Sequence, residues 1–420
     1  MYGPTVADHF GHGKGIPKGA PGAVRGRLTG ACYRRAVDAP EILARAIAGL
    51  AGITVVLLAV RSAIRTFVLP RPARDGLLAF VFTNLRKVFN TVAGPTKPYP
   101  VRDRRLAWFA PVGLLLFPVA VITVVSAGYS LIYWSLGLDP EAALRESGSS
   151  LLTLGFSVAP DLPTTLVAFS EAAIGLILIA LLIAYLPTMY GDFTRRESEV
   201  NLLEVRAGTP ASAVYMWELA YRIGALDRLD GLFERWERWF SELEETHTTL
   251  PALSFFRSPR ASQSWVSAAA AVLDAAAIRA STLDRPRDPQ VETCIRAGYL
   301  ALNAIADFFR IQHPVDPRQG DPISIPRHEF EAAYERLRVV GLPLRADRDQ
   351  CWRDFAGWRV NYDAALLGIA RLVVIPPTPW VTPGVAHPSM LLQTEPVPED
   401  RTPGLVGADD QQPPPDGNPA

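Results

Sequence analysis

The sequence predicts an all-α membrane protein with an all-helical soluble domain and two tails that carry no hydrophobic period. Three observations predict it. Two long stretches, Leu106–Leu138 and about Thr165–Tyr190, are strongly apolar, and Glu171 is the one charge within them. A short semi-polar helix and an irregular loop separate the two. Beyond Tyr190, apolar residues recur at three and four residues, with no run of strand-like alternation.

Composition removes several classes. The 420 residues carry no net charge, so no global bias points to nucleic acid. Cys32, Cys294 and Cys351 are far apart and form no CxxC pair, which indicates neither a disulfide framework nor a zinc site. His9 and His12 are the only close histidine pair and read as a chance occurrence in a glycine-rich tail. No G-x-G-x-x-G loop follows a strand and no P-loop is present. No nucleophile triad or carboxylate pair stands out. No resident metal or cofactor is expected, and the chain does not read as an enzyme.

The elements follow in chain order. Residues 1–42, rich in Gly, Pro and Arg, are expected to be disordered. Residues 43–105 hold a first apolar run and a basic segment. The run Ala46–Val60 is only 15 residues, bounded by Arg45 and Arg61. It is short of the ~20 residues a span needs, so a transmembrane and an interfacial helix both remain open. Within the basic segment, Leu77–Val92 has helical apolar spacing with Arg86 and Lys87 on the other side, as in an amphipathic helix at a membrane surface.

Leu106–Leu138 has 33 residues and no charge, more than enough to cross ~30 Å of hydrocarbon. Pro111 and Pro118 are candidate bends, and Trp108 at one end with Tyr129, Tyr133 and Trp134 at the other resemble interfacial belts. Asp139-Pro140-Glu141 then opens a short helix with an N-cap, a proline at the first helical position and an acid at the positive end. Arg145, Glu146, Ser147, Ser149 and Ser150 keep this helix from facing lipid. A loop with Pro160, Asp161 and Pro163 leads into the second apolar helix.

Residues 192–375 read as a helical cytoplasmic domain. Thr209-Pro210 is expected to start a helix, and Leu226, Leu229, Phe233, Trp236, Phe240 and Leu243 form an apolar stripe. The Trp236/Trp239/Phe240 group is expected to pack in a core. Residues 376–420 are Pro-rich, polar and expected to be disordered.

Charge orients the chain. Segment 61–107 carries ten Arg or Lys against Asp75 and Asp103. The segment between the long helices carries Asp139, Glu141, Glu146 and Asp161 against Arg145. The positive-inside rule puts the basic segment in the cytoplasm, the acidic loop outside and the C-terminal domain inside. A multi-pass protein of the plasma membrane is expected. The side of the N-terminal tail depends on whether Ala46–Val60 spans.

The run Ser149-Ser-Leu-Leu-Thr-Leu-Gly-Phe-Ser157 resembles the pore-helix end and selectivity filter of the potassium-channel superfamily, whose consensus is TVGYG. Thr153, Leu154, Gly155 and Phe156 align with its first four letters. The helix after it, from Glu171 to Pro187, is similar to the inner helix of two-transmembrane pore-loop modules. The resemblance covers about Trp108–Tyr190 and gives 106–191 as an outer helix, pore helix with filter loop, and inner helix. It implies a homotetramer in the bilayer that passes potassium or another monovalent cation through a ring of backbone carbonyls. The sequence departs from the consensus where Ser157 replaces the final filter glycine. A non-glycine residue disfavours positive φ by roughly 1 kcal/mol or more, so a weakly selective pore stands beside a potassium-selective one.

Gly175 reads as a gating hinge or as a small residue for close packing, and Pro187 as a bend or a helix terminator. Asp161 and Glu171 are placed at the outer mouth, with Glu171 alternatively bracing the pore helix. Two rival functions are a non-conducting membrane scaffold or sensor and a membrane-tethered enzyme with its site in 192–375.

Overall fold

The computed structural model describes residues 39–69, 75–94 and 96–376. The disorder expected of 1–38 and 377–420 lies outside them. The described residues form twelve α-helices and two short 3-10 turns, with no strand. Three helical stretches are long and apolar enough to cross a membrane: Ala39–Phe67, Tyr99–Ser135 and Leu162–Ala207. The chain is a membrane protein.

Helix α1 (Ala39–Phe67) has 29 residues, about 43 Å at 1.5 Å per residue. The apolar run Ala46–Val60 is only its middle, because Arg61 and Arg65 continue the helix instead of ending it. It packs against α4 (Phe109–Ser135) through glycine. A Cβ on Gly52 would lie 2.5 Å from the Gly128 carbonyl oxygen, and one on Gly128 would lie 2.7 Å from Val56. Lipid tails give no hydrophobic drive to bring helices together, so closeness must come from small residues such as these. Leu50, Leu57 and Leu58 point away from the contact and are exposed.

Helix α2 (Gly76–Ala93) starts at Asp75, whose carboxylate accepts from the Leu78 N–H at 2.9 Å and the Ser62 hydroxyl at 2.6 Å. Its apolar side is divided. Phe82 packs on Gly113 of α4, whereas Phe80, Val88 and Val92 are exposed. Helix α3 (Tyr99–Leu106) carries the last arginines of the basic segment.

The long uncharged run was expected to bend at Pro111 or Pro118. The helix instead breaks at Ala107–Trp108, between α3 and α4. Pro111 has no N–H to offer the Ala107 carbonyl four residues earlier, so the proline acts one turn upstream of itself. Pro118 lies inside an unbroken α4.

Helix α5 (Pro140–Leu151) is the short capped helix, and α6 (Leu162–Ala207) is the second long one. α6 has 46 residues and does not stop at Pro187 or Tyr190. The terminator reading of Pro187 is therefore corrected, and the composition boundary at 191/192 falls within one helix.

The C-terminal domain comprises α7 (Ala213–Arg222), α8 (Asp230–Thr249), α9 (Trp265–Ser281), α10 (Pro289–Phe308), α11 (Arg327–Val340) and α12 (Arg348–Val373). Thr209-Pro210 does not start a helix. Ser212 caps α7 instead, its hydroxyl accepting from the Tyr215 N–H at 3.3 Å. Almost every residue of alanine-rich α9 is buried, because small side chains let α7, α10 and α12 close on it. Trp236, Trp239 and Phe240 stack in this core with ring centroids 4.4 to 5.8 Å apart. Arg359, fully buried, bridges Asp363 at 2.9 Å and Asp274, which also accepts from the Tyr362 hydroxyl at 2.8 Å. A charge so enclosed is tolerable only with partners of this kind.

Two arginines join the membrane helices to the domain. Arg196, buried on α6, donates to Glu197 at 2.8 and 3.0 Å and to the carbonyls of Leu253 and Phe256, both at 2.8 Å. A further N–H reaches His247 Nε2 at 3.1 Å. Arg257 donates to Asp103 of α3 at 2.5 Å and to the Val373 and Val374 carbonyls at the end of α12. Arginines on terminal carbonyls satisfy groups that a helix end leaves unpaired.

Since Arg196 can only donate, His247 Nε2 accepts and the ring proton sits on Nδ1. Burial, then the adjacent guanidinium, push the His247 imidazole well below its ordinary value. The folded chain keeps it neutral, while the unfolded chain takes up a proton below about pH 6.5. Its contribution is present above that pH and is lost as pH falls. Thermal unfolding followed by circular dichroism should show the wild-type Tm falling between pH 7 and 5, with His247→Gln falling less steeply.

Candidate functional site: a capped helix and loop between two spans

Each end of α5 is fixed by its own sequence. At the start, Asp139 accepts from the Glu141 and Ala142 N–H groups at 3.1 and 3.0 Å, as expected of an N-cap before proline. Along its length, Ala143, Glu146, Ser147, Ser149 and Leu151 turn inward while Glu141 and Arg145 remain exposed. At the far end, α5 meets α6 at Gly175. A Cβ there would sit 2.2 Å from the Leu151 carbonyl oxygen. Gly175 thus serves close packing, one of the two readings the sequence left open.

Glu171 holds the middle. It is fully buried and hydrogen-bonded to α5, the place of a residue that braces that helix, which is the other of the two readings the sequence left open. The reason is that α5 lies directly over this turn of α6 and brings hydroxyls to the carboxylate. Ser147 donates to Oε1 at 2.6 Å and Tyr133 of α4 to Oε2 at 2.8 Å. Ser147 Oγ also lies 2.9 Å from Ser126 Oγ of α4. One carboxylate therefore gathers α4, α5 and α6. A lone acid in an apolar span signals that partners exist. Which hydroxyls they are depends on helix phase across two contacts, and sequence spacing does not fix that.

The loop after α5 carries Thr153, Leu154, Gly155, Phe156 and Ser157. Thr153 and Gly155 adopt left-handed φ of 54° and 71°. Glycine takes that conformation freely, whereas threonine does so only under constraint. The constraint is visible: the Leu154 N–H donates to the Ser149 carbonyl at 2.8 Å. The Thr153 hydroxyl donates to the Leu152 carbonyl at 2.8 Å. Ser157 ties the loop back to α5. Its N–H donates to Ser149 Oγ at 3.1 Å, and its hydroxyl bonds the buried Glu146 carboxylate. The Glu146–Ser157 and Ser149–Ser157 ties went unread in the sequence, where Glu146 and Ser149 served only to mark α5 as polar.

Leu154, Phe156 and Val158 are exposed in the single chain, Val158 at 89%. Asp161, also exposed, caps α6 by accepting from the Thr164 N–H at 2.9 Å. Pro187 lies about seven turns further along α6 than the cap, within the helix.

Comparison with protein-family models, with curated proteins and with solved structures returns no match for this chain.

Gly175→Ala should destabilise the α5–α6 contact by about 1–3 kcal/mol, the usual range for overpacking. Gly191→Ala, on the same helix with open space around it, should be neutral or mildly stabilising. Thermal unfolding of the detergent-solubilised chain, the two variants side by side, checks the contrast.

Proposed function

We propose that residues 106–191 form one quarter of a tetrameric cation pore, with α4 as outer helix, α5 as pore helix, Thr153–Ser157 as filter and α6 as inner helix. The observation that carries this reading is the braced arrangement of α5. A short helix is held by Glu171 and Gly175 between two apolar spans, and its C-terminus runs into a loop with left-handed turns at Thr153 and Gly155.

Several features support it. Irregular backbone at membrane depth is tolerated where it is buried in protein or lines a wet cavity. The α5 C-terminus presents the negative end of its dipole beside the loop, which favours cations. Exposed Leu154, Phe156 and Val158 supply apolar surface that neighbouring copies would cover. In this reading Ser157 has a use of its own: its bonds to Glu146 and Ser149 hold the loop where the consensus has glycine. The pore conducts potassium in the bilayer of the plasma membrane, with the C-terminal domain cytoplasmic as the basic 61–107 segment requires.

Purified protein in liposomes should pass potassium, with sodium compared in parallel, and should cross-link as a tetramer. Gly155→Ala is expected to lower the flux at least tenfold and leave the tetramer intact. Vesicles impermeable to both ions, or a variant that conducts like wild type, would overturn the filter assignment.

A further inference from the structure

A cavity of about 570 Å³ lies where α2 and the start of α4 meet the C-terminal domain. That volume is within the ~300–1,000 Å³ typical of small-molecule sites. Its walls are largely apolar and include the rings of Phe82 of α2, Phe109 of α4, Phe255 of the Pro251–Phe255 turn and Phe309 after α10. Two arginines, Arg86 and Arg310, line it as well.

Arg86 has donors to spare. It gives one N–H to the Leu372 carbonyl at 2.7 Å and lies 5.8 Å from the centroid of the Phe255 ring. A guanidinium carries five N–H groups, and Arg86 forms no ion pair with a carboxylate among the described residues. Half-burial lowers its pKa, a shift that a bound anion would offset. Asp75, the acid at the edge of the cavity, is already engaged by Ser62 and the Leu78 N–H. Arg310 adds a second positive charge on an exposed residue held at φ 57°, an uncommon conformation for a non-glycine.

We propose that this cavity binds an anionic amphiphile, one acyl chain bearing a carboxylate or phosphate head. The apolar walls suit the chain, and Arg86 with Arg310 suits the head. The walls offer few acceptors for a sugar or a base. The outer side of α2 is apolar too. α2 exposes Phe80, Val88 and Val92 beside Lys87, the composition of a helix lying at a bilayer surface. An acyl chain in that leaflet would lie beside the helix that carries Phe82. The occupant would touch Phe255, which neighbours Phe256, a carbonyl partner of Arg196 on α6. Membrane composition would thereby bear on the joint between α6 and the domain, whatever α6 does.

The full-length protein, in nanodiscs of neutral lipid, is titrated with photoreactive palmitate, photoreactive palmitoyl lysophosphatidic acid and photoreactive hexadecanol. Saturable labelling by at least one acid is expected, mapped by mass spectrometry to α2 and to residues 251–255 or 308–310. Arg86→Gln should weaken acid labelling at least tenfold and leave the alcohol unchanged. Arg310→Gln, which disturbs no packing, should weaken it several-fold. Ala79→Trp, filling the cavity, should abolish labelling by all three probes. The tighter acid identifies the head group. Labelling spread without saturation over α1 and α4, equal labelling by acids and alcohol, or an Ala79→Trp variant that labels like wild type would each overturn the proposal.

Discussion

A carboxylate shut inside a protein must find its hydrogen-bond partners there, because no water reaches it. Glu171 meets that constraint. Its two oxygens take the Ser147 and Tyr133 hydroxyls and so fix α5 against both α6 and α4. The rest of the site follows from that fixation. With α5 seated, the Leu151 carbonyl falls on Gly175, and the chain turns back through the left-handed residues Thr153 and Gly155. Ser157 then reaches Glu146 and Ser149 on the helix the chain has just left. An alanine at Gly175 and a missing carboxylate at Glu171 would disturb the same arrangement from opposite ends.

Much of this was legible in the residues. Long uncharged runs, the Asp139-Pro140 cap and the amphipathic stretch at 77–92 are local signals, and local signals survive into the fold. The legible part of the site was equally local: a capped helix followed by a loop that carries Gly155. What sequence left hidden is pairwise and non-local. Glu171 looked interfacial because its position along α6 is near the start. Its burial is decided by α5 lying across it, which no window on α6 contains. The break at Ala107–Trp108 was missed for a different reason. Proline was read as bending the chain at its own position, whereas the orphaned carbonyl lies four residues upstream.

The domain boundary illustrates how composition can mislead. Charge returns abruptly at Asp192, and composition places an edge there. The backbone has no reason to stop, since Arg195, Arg196, Glu197 and Glu199 are good helix formers. The helix ends where Gly208 takes a positive φ of 75°. Arg196 then becomes intelligible as the residue where the membrane helix and the domain first share hydrogen bonds.

That continuity sets a rule of phase. Gly175 and Arg196 are 21 residues apart on one helix, about 32 Å of unbroken rise. No loop intervenes to absorb a change in length. Inserting or deleting a single residue there would turn one end against the other by about 100° and shift it by about 1.5 Å. Gly175 would then still face Leu151 only if Arg196 lost Leu253 and Phe256, or the reverse. The number of residues in this stretch is therefore as much a part of the design as their identity, and the two halves of the molecule are geared together by a count.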